Sequence, residues 1–403
     1  MLSTPRGRAA LFLITITFIA FISLGLPDGL LDIANPRIRD TFEIGPDLFS
    51  LVFVTGLTGY FLSSFFAGHL VNLLGIGLLL SLSCATTAFA LLGYALSPHW
   101  AWFVLLGLFG GGGAGAIDTG LNVYVAHNHG PRLMFWLHAS FGVGVTLGTW
   151  LMSLVVNSGT IWRVGYAIVG VMQVILAVTF LITRKRFNQP HAHSEEPAKA
   201  QSRTPIRQTL RLPVAWIGIA LFFLYVGVEA SAGRWSTSLF IQARGVASVD
   251  AGAWVSAYWA TFTLGRVAAG FITKRLRPED FSRIAIGGMV LASLLLVWNP
   301  FPGVGALALS LMGFTCAPVF PVLISLTPKR VGEAHSANTI GFQIASSAIG
   351  GSVIPGLIGV LARSSSFEVM PLVLLAVTVL MFALHEIMLR VTAPPQPASE
   401  SSD

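Results

Sequence analysis

The chemistry available to this chain of 403 residues rests on a few acids placed where acids are costly. Asp118 lies in the middle of an apolar stretch running from Trp100 to Val125, and Asn122 follows four residues later on the same helical face. Inserting a carboxylate at such a depth costs roughly 2.5–3.5 kcal/mol or more, so it is rarely kept without a task. With an amide one turn away, it can take up and release a proton while hydrogen-bonding a hydroxylated solute; a polar clasp between helices is the structural alternative. Asp28 and Asp32 repeat the four-residue spacing in the first apolar segment. Two sheltered carboxyls one turn apart repel when both are ionised, which favours a proton on one of them. An acid lining the mouth of the bundle is the plainer reading for either. Glu229 lies about 16 residues beyond Pro213, roughly 24 Å along a helix at 1.5 Å per residue. It is placed to accept solute hydroxyls or to pair with Arg234 or Arg266.

Other chemistries find little support. No Ser/His/Asp set and no His-Glu-x-x-His motif appears, so an intramembrane hydrolase lacks its nucleophile and base. Cys84 and Cys316 lie in separate apolar stretches, with no metal-ligand or disulfide spacing. A literal Gly110-x-Gly112-x-x-Gly115 occurs, but inside an apolar helix rather than after a strand, so it is no dinucleotide site. No metal or organic cofactor is expected; the only inorganic species implied is a coupling ion, H+ or Na+.

The elements that position these residues follow from composition. The chain is 54% hydrophobic and 10% charged, far below the roughly 25% charged residues of soluble domains. At about 20 apolar residues per span, segments of membrane length fall near 9–34, 47–71, 76–97, 100–125, 133–156 and 162–183. After a polar stretch they resume near 213–236, 250–273, 282–299, 302–327, 335–362 and 368–389. The fold class is therefore an all-α membrane protein of twelve transmembrane helices in two six-helix halves. The N-terminal half covers 1–183 and the C-terminal half 213–390. Residues 184–212, rich in Pro, Ser, Glu, His and basic residues, form a linker, and 391–403 a disordered tail. The first apolar run is too long for a signal-peptide core of roughly 7–15 residues and reads as a retained helix.

The net charge of +7 reports topology rather than nucleic-acid binding. Of the 24 Lys and Arg residues, seventeen fall in segments on the side of the N-terminus, five in the opposite loops, and Arg234 and Arg266 within spans. That bias places both termini in the cytoplasm of a multi-pass protein of the inner membrane. Six plus six spans with a central cytoplasmic loop is the layout of the major facilitator superfamily, whose halves rock about a site near the bilayer midplane.

Short motifs refine the reading. The loop after the second span, Gly68-His69-Leu70-Val71-Asn72-Leu73-Leu74-Gly75, resembles the superfamily's Gly-x-Leu-Ala-Asp-Arg-x-Gly, with Asn72 and Leu73 replacing the usual Asp and Arg. Gly68, Asn72 and Gly75, with Arg266 at the equivalent place in the second half, are read as gating positions; tight helix packing is the alternative. Gly107, Gly111 and Gly115 form a small-residue stripe that lets a neighbouring helix approach closely. Pro318, Pro321 and Pro355 are expected to bend the tenth and eleventh spans.

At this point the chain resembles a known family, the fucose–galactose–glucose:proton symporters, of which the L-fucose permeases are the best-known members. The resemblance is carried by Asp32-Ile33-Ala34-Asn35-Pro36 followed by Phe42, by Asp118-Thr119-Gly120-Leu121-Asn122, by Tyr225-Val226-Gly227-Val228-Glu229 with Trp235 after it, and by Gly341-Phe342-Gln343. It implies that Asp32 and Asp118 are coupling carboxylates. The stretch Leu26-Pro27-Asp28-Gly29 is similar to a glucose-transporter-like branch in which the earlier acid is typical, so Asp28 joins them. The helix is expected to end near Pro36. The candidate substrate contacts are Asn122, His138, Tyr225, Glu229, Trp259, Asn338 and Gln343, because a sugar presents polar edges to acids and amides and apolar faces to aromatic rings.

The expectation is a secondary transporter, not an enzyme, importing a monosaccharide by proton symport, with sodium as the other coupling ion. Its partners are the small-molecule substrate and the lipid bilayer, without nucleic acid, and it works as a monomer. A proton-coupled efflux antiporter for drugs or other small organic compounds is the alternative. The fifth span is glycine-rich (Gly142, Gly144, Gly148) but has no proline after Pro131, which argues against that alternative.

Overall fold

The computed structural model describes residues 5–187, 204–273 and 275–392, and the side chain of Asp32 lies outside that description. Most of the linker, 188–203, and the tail 393–403 also lie outside it. The first half consists of α1 (Pro5–Phe42), α2 (Pro46–Leu74), α3 (Ile76–Leu96), α4 (Trp100–Asn128), α5 (Pro131–Asn157) and α6 (Arg163–Phe187). A single helical turn, α7 (Ile206–Thr209), precedes the second half. That half comprises α8 (Pro213–Ser238), α9 (Ser248–Ile272), α10 (Pro278–Trp298), α11 (Pro302–Cys316), α12 (Val319–Val331), α13 (Glu333–Ser364) and α14 (Val369–Val391). A π-helical turn, Leu239–Ala243, extends α8.

Among the described residues, eleven spans are long and apolar enough to cross a membrane, α11 and α12 together making one of them. The twelfth expected span is α9, 25 residues long, whose apolarity is diluted by Tyr258, Trp259 and Arg266. Helix starts are set locally by proline at the first helical turn of α2, α5, α8, α10 and α11, where the missing N–H would have no partner. Gly75 joins α2 to α3 in a one-residue turn at φ 75°, a conformation that favours glycine. Outward faces carry large apolar side chains such as Ile182, Leu264 and Val360, exposed at 78%, 61% and 66% as a lipid solvent requires.

Three boundaries differ from the sequence reading. Helix α1 runs through Pro36 to Phe42 instead of ending there. Arg39 Nε donates to Asn35 Oδ1 across one turn at 3.0 Å and helps to carry the helix past the proline. Residues 184–187 complete α6, and 204–209 are tied to α13, so the ends of the expected linker are ordered structure. The tenth span breaks at Ala317–Pro318, whereas α13 continues through Pro355. Trp235 Nε1 donates to the Pro355 carbonyl at 2.9 Å, tying α8 to α13 at that point.

The same pairing recurs in both halves. In the first, α1 packs on α5, α2 on α4 and α3 on α6; in the second, α8 packs on α13, α9 on α11 and α10 on α14. The halves meet through α2 with α13 and α5 with α9. The backbone of Gly68 lies against that of Asn338, Gly341 against Ser64, and Gly270 against the Trp136 ring. All of these contacts lie toward the face at which α1 begins and α14 ends, here called the termini face. Toward the opposite, far face the halves separate around a cavity.

Candidate functional site

The cavity has a volume of about 960 Å³ and lies between the halves, at the upper end of the roughly 300–1,000 Å³ of small-molecule sites. Its polar lining comes from Asp28 of α1, Tyr60 of α2, Asp118 of α4, His138 of α5 and Gln173 of α6, facing Glu229 and Arg234 of α8 and Arg266 of α9. Apolar rings, among them Phe21, Phe53, Phe141 and Phe320, line the rest.

The centre of the site is built by the glycine stripe of α4. A Cβ at Gly111 would strike the Gly56 carbonyl of α2, and one at Gly115 would strike Tyr60 O, Ser63 Oγ and Ser64 Oγ. Only because these positions lack side chains does α2 lie close enough for the Tyr60 hydroxyl to donate to Asp118 Oδ2. Thr55 Oγ1 donates to the Val104 carbonyl at 2.8 Å and fixes the same pair of helices further out.

Asp118 is 7% exposed and Asn122 wholly buried. Asn122 Nδ2 donates to Asp118 Oδ1 at 2.7 Å and to the Asp118 carbonyl at 2.9 Å. That orientation turns Asn122 Oδ1 toward His138 Nε2 at 3.0 Å. An amide oxygen only accepts, so Nε2 carries the imidazole proton in this arrangement. The hydrogen bonds therefore run in one direction, from His138 to Asn122 to Asp118, with Tyr60 donating from the other side. Asp118 is the common acceptor at the end of both.

The backbone of His138, not its imidazole, bonds to the second half. Arg266 Nη1 donates to the His138 carbonyl at 3.0 Å, and its guanidinium lies over the Phe262 ring at 4.4 Å. The His138 ring sits edge-on between Phe21 and Phe320, at centroid distances of 5.2 and 4.9 Å. Phe320, just past the break between α11 and α12, also contacts Phe222 and Tyr225. Glu229 and Arg266 both line the cavity without a salt bridge between them among the described residues, and Tyr258 Oη donates to the Glu229 carbonyl at 3.1 Å. The pairing of Glu229 with Arg234 or Arg266 foreseen as its structural role is thus not made, and Arg266 Nε is buried without a partner.

The structure brings Asp118, Asn122 and His138 into one network and places Asp28, Glu229 and Arg266 around the same cavity. Arg266, read as a gate, belongs to this cavity. Tyr225 is fully buried one turn before Glu229 and backs the site through Phe320. Three of the expected sugar contacts lie elsewhere. Asn338 is near the termini face, where its Nδ2 donates to the Thr204 carbonyl at 3.0 Å and to Thr209 Oγ1 at 3.1 Å. Gln343 points at α12 and accepts from Thr327 Oγ1 at 3.0 Å. Trp259 is 45% exposed and packs on Tyr258, Phe262 and Gly233 outside the lining. Gly68 and Asn72 belong to the seam between the halves, where Asn72 lies beside the ion pair of His127 Nε2 and Glu333 Oε2 at 2.8 Å. Gly75 is the turn between α2 and α3. Sequence reasoning missed Tyr60, Gln173 and Phe320. For Tyr60 a signal existed: Gly56 and Gly59 on α2 are the natural counterpart of the α4 stripe, and Tyr60 follows them.

An interior cavity between two pseudo-repeated six-helix halves, closed on one face, is the architecture of a membrane carrier. The sequence profile of the Major Facilitator Superfamily matches residues 13–355. The chain belongs to that superfamily and is a multi-pass membrane transporter, not an enzyme. It is 25% identical over 387 residues to the human sodium-dependent glucose transporter 1, covering 85% of this chain and 72% of that protein. It is 23% identical over 362 residues to the glucose/mannose transporter GlcP of Bacillus subtilis, covering 86% and 88%. The crystal structure of the superfamily transporter FucP in its outward conformation superposes with a TM-score of 0.78 at 16% identity, over 94% of this chain and 99% of that one.

Proposed function

We propose that the protein imports a monosaccharide by proton symport, with both termini in the cytoplasm of the inner membrane, acting as a monomer. The observation that carries this reading is the buried Asp118 carboxyl at the cavity wall, hydrogen-bonded by Tyr60 and Asn122, with Asn122 in turn bonded to the imidazole of His138, whose backbone carbonyl accepts from Arg266 of the other half. A carboxyl that gains a proton in such a place loses a buried charge, which lowers the cost of moving the loaded wall past lipid and the opposite half. Release of that proton on the termini side restores the charge and weakens the hold on substrate.

Hexose is the substrate class supported by the relatives, named for glucose and mannose transport. The lining suits it. Phe320 and Phe21 offer flat apolar surfaces to the C–H faces of a pyranose, while Glu229, Arg234 and Gln173 offer acceptors and donors to its hydroxyls. Asp118 and either Asp28 or Asp32 are the coupling acids of this scheme.

Sodium coupling is the second reading, favoured by the name of the human relative. Against it, both Asp118 oxygens face hydrogen-bond donors, the Tyr60 hydroxyl and the Asn122 amide, whereas a sodium site needs lone pairs turned inward. The test is uptake of labelled D-glucose, D-mannose, D-galactose and L-fucose into proteoliposomes under a proton gradient, a sodium gradient or neither. Proton-driven accumulation supports the proposal. Sodium-driven accumulation replaces the ion, and no uptake of any sugar by folded protein removes the sugar reading.

A further inference from the structure

Resting on the reading of Asp118 as the proton carrier, we propose that Tyr60 is the switch that reports its protonation to the cavity, by reversing the direction of its hydroxyl. In the structure, Asp118 accepts from Asn122 Nδ2 on Oδ1 and from the Tyr60 hydroxyl on Oδ2. A protonated carboxyl must donate one hydrogen bond of its own, and among the described residues two side chains, Tyr60 and Asn122, are bonded to it and placed to receive it.

Asn122 is poorly suited to receive it. Its amide is fully buried, also donates to the Asp118 carbonyl, and presents its oxygen to His138. Turning it would break that bond to the main chain, face its NH2 toward His138 and require the imidazole to move its proton to the other nitrogen. Tyr60 needs only a rotation about its C–O bond. A phenolic oxygen both donates and accepts, so protonation at Oδ2 turns the tyrosine from donor to acceptor and its hydrogen swings away from Asp118.

Where that hydrogen goes gives the switch its use. Tyr60 lines the cavity together with Asp28, Leu24 and Leu57. With Asp118 ionised, the Tyr60 hydrogen is spent on Asp118 and the cavity side of the phenol offers only lone pairs. With Asp118 protonated, the same hydroxyl presents a donor to the cavity, for an oxygen of a bound sugar. One proton on Asp118 thus changes a wall of the substrate cavity from acceptor to donor without any helix moving. Proton transfer follows the same line: as a proton arriving from the cavity bonds to the Tyr60 oxygen, the original hydroxyl hydrogen passes to Asp118 Oδ2, and the hydroxyl is left intact. The glycine stripe that clamps α2 to α4 fixes the two groups at bonding distance throughout.

Tyr60→Phe keeps the ring and removes only the switch. Infrared difference spectra between acidic and alkaline pH should show a protonated carboxyl C=O band that disappears in Asp118→Asn. In Tyr60→Phe that band should shift to higher frequency, since the acid has lost its acceptor. An unchanged band position overturns the proposal, and this arm needs no substrate. In the second arm, D-glucose binding is measured at both pH values. In wild type the ratio of the two dissociation constants should exceed about fivefold, and in Tyr60→Phe it should fall to within about twofold of unity; a ratio kept in Tyr60→Phe contradicts the switch. A wild type that binds no D-glucose at either pH defeats the sugar reading instead, and the infrared arm still decides the role of Tyr60. Retained thermal unfolding of Tyr60→Phe in detergent excludes a folding defect as the cause.

Discussion

The two halves of the molecule touch in two ways, and the contrast separates what holds the bundle shut from what works inside it. At the seam near the termini face, polar groups are mostly matched, Asn338 Oδ1 being one left without a partner. His127 Nδ1 faces the Val123 carbonyl at 2.7 Å, its Nε2 faces Glu333, and Asn338 ties α13 to Thr204 and Thr209. Glycine backbones lie directly on their neighbours there. In the cavity, by contrast, no salt bridge joins Glu229 to Arg234 or Arg266 among the described residues, and Arg266 Nε is left with no partner. Unpaired buried polar groups cost about 1–3 kcal/mol each. The seam thus joins the halves by an ion pair, whereas the Arg266 guanidinium keeps a donor at the cavity that a solute can complete.

That contrast is most sharply broken at Asp118. Asp118→Asn should retain exchange of substrate across the membrane but lose accumulation against a gradient altogether, measured by counterflow beside proton-driven uptake in the same vesicles. Next in size is Gly111→Ala, whose Cβ would strike the Gly56 carbonyl. Overpacking of this kind costs about 1–3 kcal/mol, so thermal unfolding should fall by several degrees, and the forced separation of α2 from α4 should also weaken coupling. Phe320→Ala removes an aromatic face at the cavity centre and should raise the apparent KM for hexose about tenfold, the equivalent of about 1.4 kcal/mol. At the seam, His127→Ala removes an ion pair whose Glu333 side chain is 73% exposed. Such pairs are worth about 0.2–1 kcal/mol, so the balance between cavity-open states should shift no more than about fivefold, read from spin-label distances across the termini face. Trp259→Ala lies outside the lining and should leave hexose KM within about twofold of wild type.

Much of this was legible in the chain. The spans follow from apolar length, and Asp118 with Asn122 from four-residue spacing alone. The α4 glycines announced that another helix would come close, although not which one. What the sequence hid was direction. Helix α13 carries small and polar residues on several faces, so Asn338 and Gln343 looked equally suited to a cavity. Depth alone would have separated Asn338, only five residues into α13 and therefore about 7.5 Å from its start. Gln343 lies deep enough but turns toward Thr327, and only packing decides that. Tyr60 escaped notice because its partner sits 58 residues away on another helix.

The most direct test of the central claim, that Asp118 couples proton entry to substrate entry, is to follow internal pH in proteoliposomes when D-glucose is added outside without an imposed gradient. Wild type should acidify the lumen as sugar enters, and Asp118→Asn should admit sugar with no change in internal pH. Acidification of equal size in Asp118→Asn, or sugar entry without acidification in wild type, would contradict the account.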